Sequence, residues 1–389
     1  MWIDRDFSSI LTNLNASPIK VLKGPRQVGK STFLERLKTH QMIYLDDAAV
    51  RLQAAQNPRL FLDYLPNKVV LDEAALVPEI FTELKRRVDE QRRTRPMANE
   101  IDVWITGSNQ TLIQENVRES LAGRASYFDL NTLSIHELGA LWKLDQYLVK
   151  GGWPELYVSP NLNPIRYLSD LIATFIENDI VAAAGIERRA AFTKCLQLTA
   201  ARVSQLYNFS DVATNCSVDS TTIQSWLTIL ETNGILRRLL PYSTNLNQRL
   251  IKSPKFYFED VALATRLQGW TELQPLMLSP VVGNLIENIA VGEVARFFIN
   301  RGERPQLNFV RSKEKVEVDL LIHLPNQRCI AAEIKSTPQA LLPAQISLLA
   351  SLNLNIVEHW IIAPTPAPAF ANARVVTLNN LWGELDKIV

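Results

Sequence analysis

Gly24-Pro25-Arg26-Gln27-Val28-Gly29-Lys30-Ser31 stands between an apolar stretch, Ile19-Lys20-Val21-Leu22, and a helix-forming one that opens Thr32-Phe33-Leu34-Glu35. The spacing GxxxxGK[ST], placed after a strand and before a helix, is that of a loop that wraps its backbone N–H groups around a phosphate. Gly24 and Gly29 free the backbone for that curl around Pro25, Arg26, Gln27 and Val28, and all of these but Pro25 carry an N–H that can turn inward. The following helix adds the positive end of its dipole. Lys30 is expected to reach the terminal phosphates, Ser31 to ligate magnesium, and Thr32 to add a contact through its N–H or hydroxyl. Together these residues predict a site for a nucleoside triphosphate, ATP, with Mg²⁺.

Working outward, apolar strands are expected at 19–22, 42–45, 68–71 and 103–106, separated by helix-like segments. That alternation predicts an α/β fold with a parallel sheet whose ligands sit at the carboxyl ends of the strands. At one such end, Lys68-Val69-Val70-Leu71 runs into Asp72 and Glu73. Asp72 is placed to hold the metal and Glu73 to orient an attacking water, which favours hydrolysis over binding alone. At another, Thr106-Gly107-Ser108-Asn109 makes Asn109 or Ser108 a candidate for touching both the γ-phosphate and that water. Arg118 and Arg124 follow. Either could stabilise transition-state charge, in cis or as an arginine finger on a neighbouring copy, and a plain surface ion pair is the alternative.

The bulk composition leaves room for this reading and excludes others. The 389 residues are 47% hydrophobic and 21% charged, enough apolar material for two or three cores. With 41 basic and 40 acidic side chains the net charge is +1, so no global field drives the chain onto nucleic acid or a membrane. Cys195, Cys216 and Cys329 are odd in number and far apart, which argues against a disulfide framework or a zinc site. The N-terminus lacks the apolar run of a signal peptide, and no segment reaches the roughly 18 apolar residues of a membrane span. A cytoplasmic location without membrane contact is expected.

A boundary is expected near Leu138, giving an ATPase domain at 1–138 and a helical segment at 139–200, entered through Gly151-Gly152-Trp153-Pro154. In 201–279 a short capped helix, a turn at 216–218, a helix at 220–232 and the turn Asn233-Gly234 before Ile235-Leu236-Arg237-Arg238 predict a winged helix-turn-helix. The second helix carries no Arg or Lys, which weakens DNA reading and favours packing or oligomerisation, although Arg237 and Arg238 could touch phosphates. The basic stretch Lys85-Arg86-Arg87 with Arg92, Arg93 and Arg95 is expected to be a solvated helix face. A C-terminal α/β domain is expected at 280–389, with an amphipathic helix at 284–298, strands at 307–311, 316–323 and 329–336, a helix from Pro343 and a strand at 359–363.

In that last domain Glu287, Asp319 and Glu333-Ile334-Lys335 follow the E…D…ExK order of PD-(D/E)XK nucleases. Residues two apart on a strand share a face, so Glu333 and Lys335 can meet Asp319 from the neighbouring strand. Such carboxylates can hold one or two Mg²⁺ ions for phosphodiester cleavage, with Lys335 supporting the nucleophilic water. A domain of that kind can equally bind without cutting.

The runs GPRQVGKST, YLDD, VVLDEA, TGSN, ESLAGR, LSIHEL and GGWPE resemble a family of prokaryotic AAA-type ATPases, AAA family 14, and SPKFYFEDVALA, GNLIENIAVGEV, EVDLLI and AAEIKS resemble its usual C-terminal region, domain of unknown function 4143. The resemblance covers nearly the whole chain. It implies an AAA-like ATPase core, a winged-helix linker and a nuclease-like tail. The run TFIENDIV departs from the family's arginine-aspartate pair. Two outputs stay open: nucleotide state gating a nuclease-like domain that acts on or binds DNA, or a non-cutting switch or scaffold for a protein partner. ATP and ADP are the expected ligands, and a homo-oligomer is open.

Overall fold

A computed structural model of the chain describes residues 2–11, 17–94, 100–107, 110–111, 113, 120–243 and 253–389, without the side chains of Ser9 and Glu177. Five strands build the first sheet: β1 (Ile19–Lys23), β2 (Gln41–Tyr44), β3 (Lys68–Asp72), β4 (Asp102–Thr106) and β5 (Ala125–Asp129). Their order is β2-β3-β4-β1-β5 and every pairing is parallel. Strands β1, β3 and β4 are apolar along most of their length and buried, as strands covered on both faces must be. The register pairs Leu22 with Thr106 and Leu71 with Ile105, so the loops after β1, β3 and β4 leave the sheet at one edge.

The chain then becomes helical. Gly151 and Gly152 are required where the connection passes between two elements: a β-carbon on Gly151 would lie 1.8 Å from Asp260 Oδ1, and one on Gly152 would lie 2.1 Å from the Leu133 carbonyl oxygen. Helical residues follow from Pro164, but Ile172–Ile180 is a π-helix, and the run ends where Ile186 N–H returns to Val181 O (3.0 Å) past Gly185. Helix Arg189–Ala201 restarts it. Helix Phe209–Cys216, capped by Asn208, and helix Ser220–Thr232, capped by Asp219, are joined through Ser217 in the left-handed region. The antiparallel pair β6 (Leu236–Pro241) and β7 (Lys255–Phe258) comes next.

The remaining strands are β8 (Leu307–Arg311), β9 (Glu317–His323), β10 (Arg328–Ile334), β11 (Asn355–Ala363) and β12 (Arg374–Thr377). They do not form a sheet of their own. Strand β6 pairs in parallel with β8, Leu240 opposite Asn308, so one sheet runs β12-β11-β10-β9-β8-β6-β7 across the boundary expected at 279/280.

The helix expected to be amphipathic, Val282–Ile299, is instead enclosed on every side from Asn288 to Phe298. Its buried polar residues find partners inside the protein, although Arg296 Nε has none among the described residues. Asn288 takes both backbone groups of Phe258 (2.7 and 2.8 Å), Glu293 accepts from Ile135 N–H (3.0 Å), and Arg296 binds Glu293 (2.9 Å), Thr132 (3.1 Å) and the Glu259 carbonyl. The helix therefore joins the second sheet to the loop after β5. Among the described residues no helix is long and apolar enough to cross a membrane.

Candidate nucleotide site

The loop after β1 turns three times through positive φ, at Gly24 (144°), Gln27 (64°) and Gly29 (89°), before helix Lys30–Glu35 begins. Glycine is required at 24, because a β-carbon there would lie 2.0 Å from the Leu130 carbonyl oxygen. The Lys30 ammonium lies inside this curl, donating to Gly24 O (2.8 Å) and Pro25 O (2.7 Å), with 7% of the residue exposed. Burial lowers its pKa to about 8, although Glu73 and Asp72 pull the other way.

Ser31 on the helix and Asp72 at the end of β3 meet, the hydroxyl donating to Oδ1 at 3.0 Å. Asp72 is buried, and burial raises its pKa, a carboxylate short of positive charge. A hydroxyl and a carboxylate held together beside a phosphate loop suit Mg²⁺, which keeps water ligands and takes few from protein. Glu73, in the left-handed conformation (φ 53°), turns its carboxylate towards the neighbouring strand end: a β-carbon on Gly107 would lie 3.4 Å from Glu73 Oε2.

Gln110 belongs to no motif. Its amide nitrogen bridges Gly24 O (3.0 Å) and Gly107 O (2.9 Å), tying the phosphate loop to the end of β4. Its Oε1 and Thr106 Oγ1 are buried there without hydrogen-bond partners among the described residues. Arg5 is a second residue the motifs did not reveal. It is buried, donates to Val28 O (2.9 Å) and Asn131 O (2.5 Å), and pairs with the fully buried Glu137 (2.9 Å). Arg26 pairs with Asp179 on the π-helix. Beside the loop a cavity of about 380 Å³ is lined by Trp2, Gln27, Gly29, Thr32, Pro154 and Tyr167, among others.

Arg124 does not serve this site within its own chain. Ile19 pairs with Ala125, which puts Arg124 at the opposite end of β1 from the phosphate loop, roughly 16 Å away. There it makes a bidentate pair with Asp89 (2.6 and 2.9 Å) and holds Asp89 below the usual carboxylate range. Ser108, Asn109 and Arg118 lie outside the described residues.

The turn after helix Ser220–Thr232 rests on the nucleotide loop. Asn233, 2% exposed, donates to Thr111 Oγ1 (3.1 Å), and a β-carbon on Gly234 would touch Pro25 at 3.1 Å. Arg237 and Arg238 are engaged by Glu259 (2.7 Å) and Glu231 (2.6 Å). Of the basic stretch, Arg86 pairs with Glu83 and Glu90 (both 2.6 Å), and Arg87 caps the carbonyls of Leu62 and Leu65.

Glu287, Asp319, Glu333 and Lys335 do converge, but around an unforeseen cation. Lys255 from β7 places its ammonium 2.9 Å from Glu287, 2.7 Å from Glu317 and 3.9 Å from Asp319. Burial, with the charge of Asp319 adding, pushes Glu287 up to about 7 despite Lys255 and its bond from Tyr257 (2.7 Å). Glu333 takes Lys335 at 2.6 Å, and Asp319 accepts from Ile334 N–H at 2.9 Å. Among the described residues no group of three or more histidine, cysteine or carboxylate side chains is arranged to hold a metal ion. Of the carboxylates expected to hold magnesium, Glu287 is thus paired with Lys255 and Glu333 with Lys335, and Asp319 lies 3.9 Å from Lys255.

The first sheet and its phosphate loop define a P-loop nucleotide-binding domain, and residues 16–139 match a family described as an AAA domain. Residues 141–274 and 282–365 match two domains of unknown function, DUF8612 and DUF4143. An uncharacterized protein of Mycobacterium tuberculosis is 28% identical over 328 residues, covering 83% of this chain and 71% of its own length. One of Haemophilus influenzae is 22% identical over 325 residues, covering 76% and 78%. Among solved structures, the chain is similar to a Walker-type ATPase of Pyrococcus abyssi (15% identity, 69% and 96% covered, TM-score 0.43) and to the ADP form of the Aeropyrum pernix ORC2 protein (13%, 72% and 90%, TM-score 0.29).

Proposed function

We propose that this protein is a magnesium-dependent ATPase whose nucleotide state is passed as a conformational signal to the rest of the chain. The observation that carries this reading is the meeting of Ser31 and Asp72 at 3.0 Å beside the buried Lys30. In it, the backbone N–H groups from Arg26 to Thr32 hold the polyphosphate, and Lys30 exchanges its two carbonyl partners for phosphate oxygens. Ser31 and Asp72 would hold Mg²⁺, which supplies charge neutralisation on the phosphates. Glu73 orients the attacking water, and the orphan oxygens of Thr106 and Gln110 are polar groups near enough to the loop to respond to what occupies it. The base of the nucleotide fits the cavity beside Trp2 and Tyr167, whose buried hydroxyl lacks a partner among the described residues.

The signal is read by helices Phe209–Cys216 and Ser220–Thr232 and the β6–β7 pair, taken as a winged-helix module, through Asn233 on Thr111 and Gly234 against Pro25 of the nucleotide loop. A non-cutting switch that binds a protein partner is favoured over a nucleic-acid enzyme. The two ribbon arginines are already neutralised by carboxylates, which leaves little charge for phosphate contacts. Nucleotide binding by calorimetry and phosphate release test the proposal together. Lys30→Ala is expected to abolish binding, and Glu73→Gln to keep binding while stopping turnover. Normal turnover in Glu73→Gln removes Glu73 from its role, and absence of any binding by the wild type removes the whole reading.

A further inference from the structure

The charge cluster around Lys255 is buried, lies apart from the nucleotide, and joins β7 to helix Val282–Ile299 and β9. Lys255 is 2% exposed. Contacts of 2.9 and 2.7 Å to two carboxylates are those of an ammonium. A hard divalent ion would need oxygens at about 2.0–2.6 Å in the same place. Two cations cannot share that position.

The charge balance agrees. Glu287, Glu317, Asp319 and Glu333 bring at most four negative charges, and Lys255, Lys335 and Arg311, which pairs with Glu317, bring three positive ones. At most one surplus negative charge is left to attract an incoming ion, too little to repay the dehydration of Mg²⁺. The only orphan is Glu333 Oε2, buried and without a partner among the described residues, on a residue that is 5% exposed.

We infer that Lys255 is the resident cation of this cluster: the C-terminal domain keeps the carboxylate order of a metal-dependent nuclease but is sealed against divalent ions by its own ammonium. The resting protein cuts no phosphodiester there. Removing the ammonium uncovers a divalent-cation site, because Glu287 and Glu317 need to close in by only about 0.6 Å each, and Asp319 by about 1.7 Å, to reach metal-ligand distance.

Manganese titration of the nucleotide-free full-length chain, read by the paramagnetic resonance of free Mn²⁺, tests this. Lys255→Met is expected to bind one Mn²⁺ more than the wild type, and Lys255→Met/Glu287→Gln to lose it again. Wild type and Asp319→Asn are expected to bind Mn²⁺ alike and to leave supercoiled plasmid intact. A folded Lys255→Met that gains no Mn²⁺ overturns the inference, as does a wild-type Mn²⁺ or nicking activity that Asp319→Asn removes. Should Lys255→Met not fold, the wild-type and Asp319→Asn comparison decides alone.

Discussion

Lys30 gives the most quantitative handle on the nucleotide site. Its ammonium is buried against two carbonyls and titrates near about 8, lowered by burial. In the empty protein at pH 8 about half the molecules therefore lack that proton. A triphosphate surrounds the nitrogen with negative charge and draws it fully into the ammonium form. Binding should then take up about 0.5 proton at pH 8 and about 0.1 at pH 7, and affinity should fall about tenfold from pH 7 to pH 9. Phosphate groups, with second pKa values near 6, are about 99% ionised at pH 8, so the uptake measured there belongs to the lysine. Calorimetry of MgATP binding at pH 8 in phosphate and in Tris, whose ionisation heats differ, measures the uptake directly. Heats that do not depend on the buffer, with affinity constant from pH 7 to 9, would refute the argument. The same shift has a consequence for stability, with a definite sign. A lysine whose folded pKa is depressed destabilises the fold below about 8, and this loss is relieved as pH rises from 8 towards the unfolded value of 10.5.

Further outcomes follow from single contacts. Gly24→Ala should destabilise the protein by about 3 kcal/mol or more in denaturant titrations, since the β-carbon collides with the Leu130 carbonyl at a φ that alanine resists. Arg5→Met leaves Glu137 buried without its cation and should cost about 3–5 kcal/mol, part of which Arg5→Met/Glu137→Gln recovers. Asn233→Ala should leave ATP affinity within about twofold, because the residue faces Thr111 and not the phosphate cradle. It should also abolish ATP-dependent hydrogen-exchange protection in β6 and β7, and protection that survives would remove the turn as the coupling contact.

Four of the five strands of the first sheet were legible, and β1, β3 and β4 most clearly, because apolar buried runs there end in residues whose types name their chemistry; β5, only half-buried, carried no such pattern. Ser31, Asp72 and Lys30 could be read for that reason. Gln110 could not, because its work depends on reaching back 86 residues to the Gly24 carbonyl. Arg124 misled for a related reason. Its place in the chain just after the end of β4 makes it a candidate for the phosphate end, and only the register of β5 on β1 puts it at the other. Helix Val282–Ile299 read as amphipathic because Asn288, Glu293 and Arg296 look like a wet face, whereas each is paired inside the protein. Lys255 was invisible for want of any motif linking it to the carboxylates that follow, and the cluster was read as a metal site with its cation missing.

The seven-stranded sheet also limits how this chain can be cut. A fragment starting at Pro280 would keep β8 but lose β6, stripping the partners from Asn308, Phe309 and the Tyr242 N–H bond at 2.6 Å. It would present a raw strand edge beside carboxylates deprived of their lysine, a surface prone to self-association. The ribbon and the tail thus share one sheet, and a swap between relatives that exchanged only one of them would have to rebuild the β6–β8 pairing.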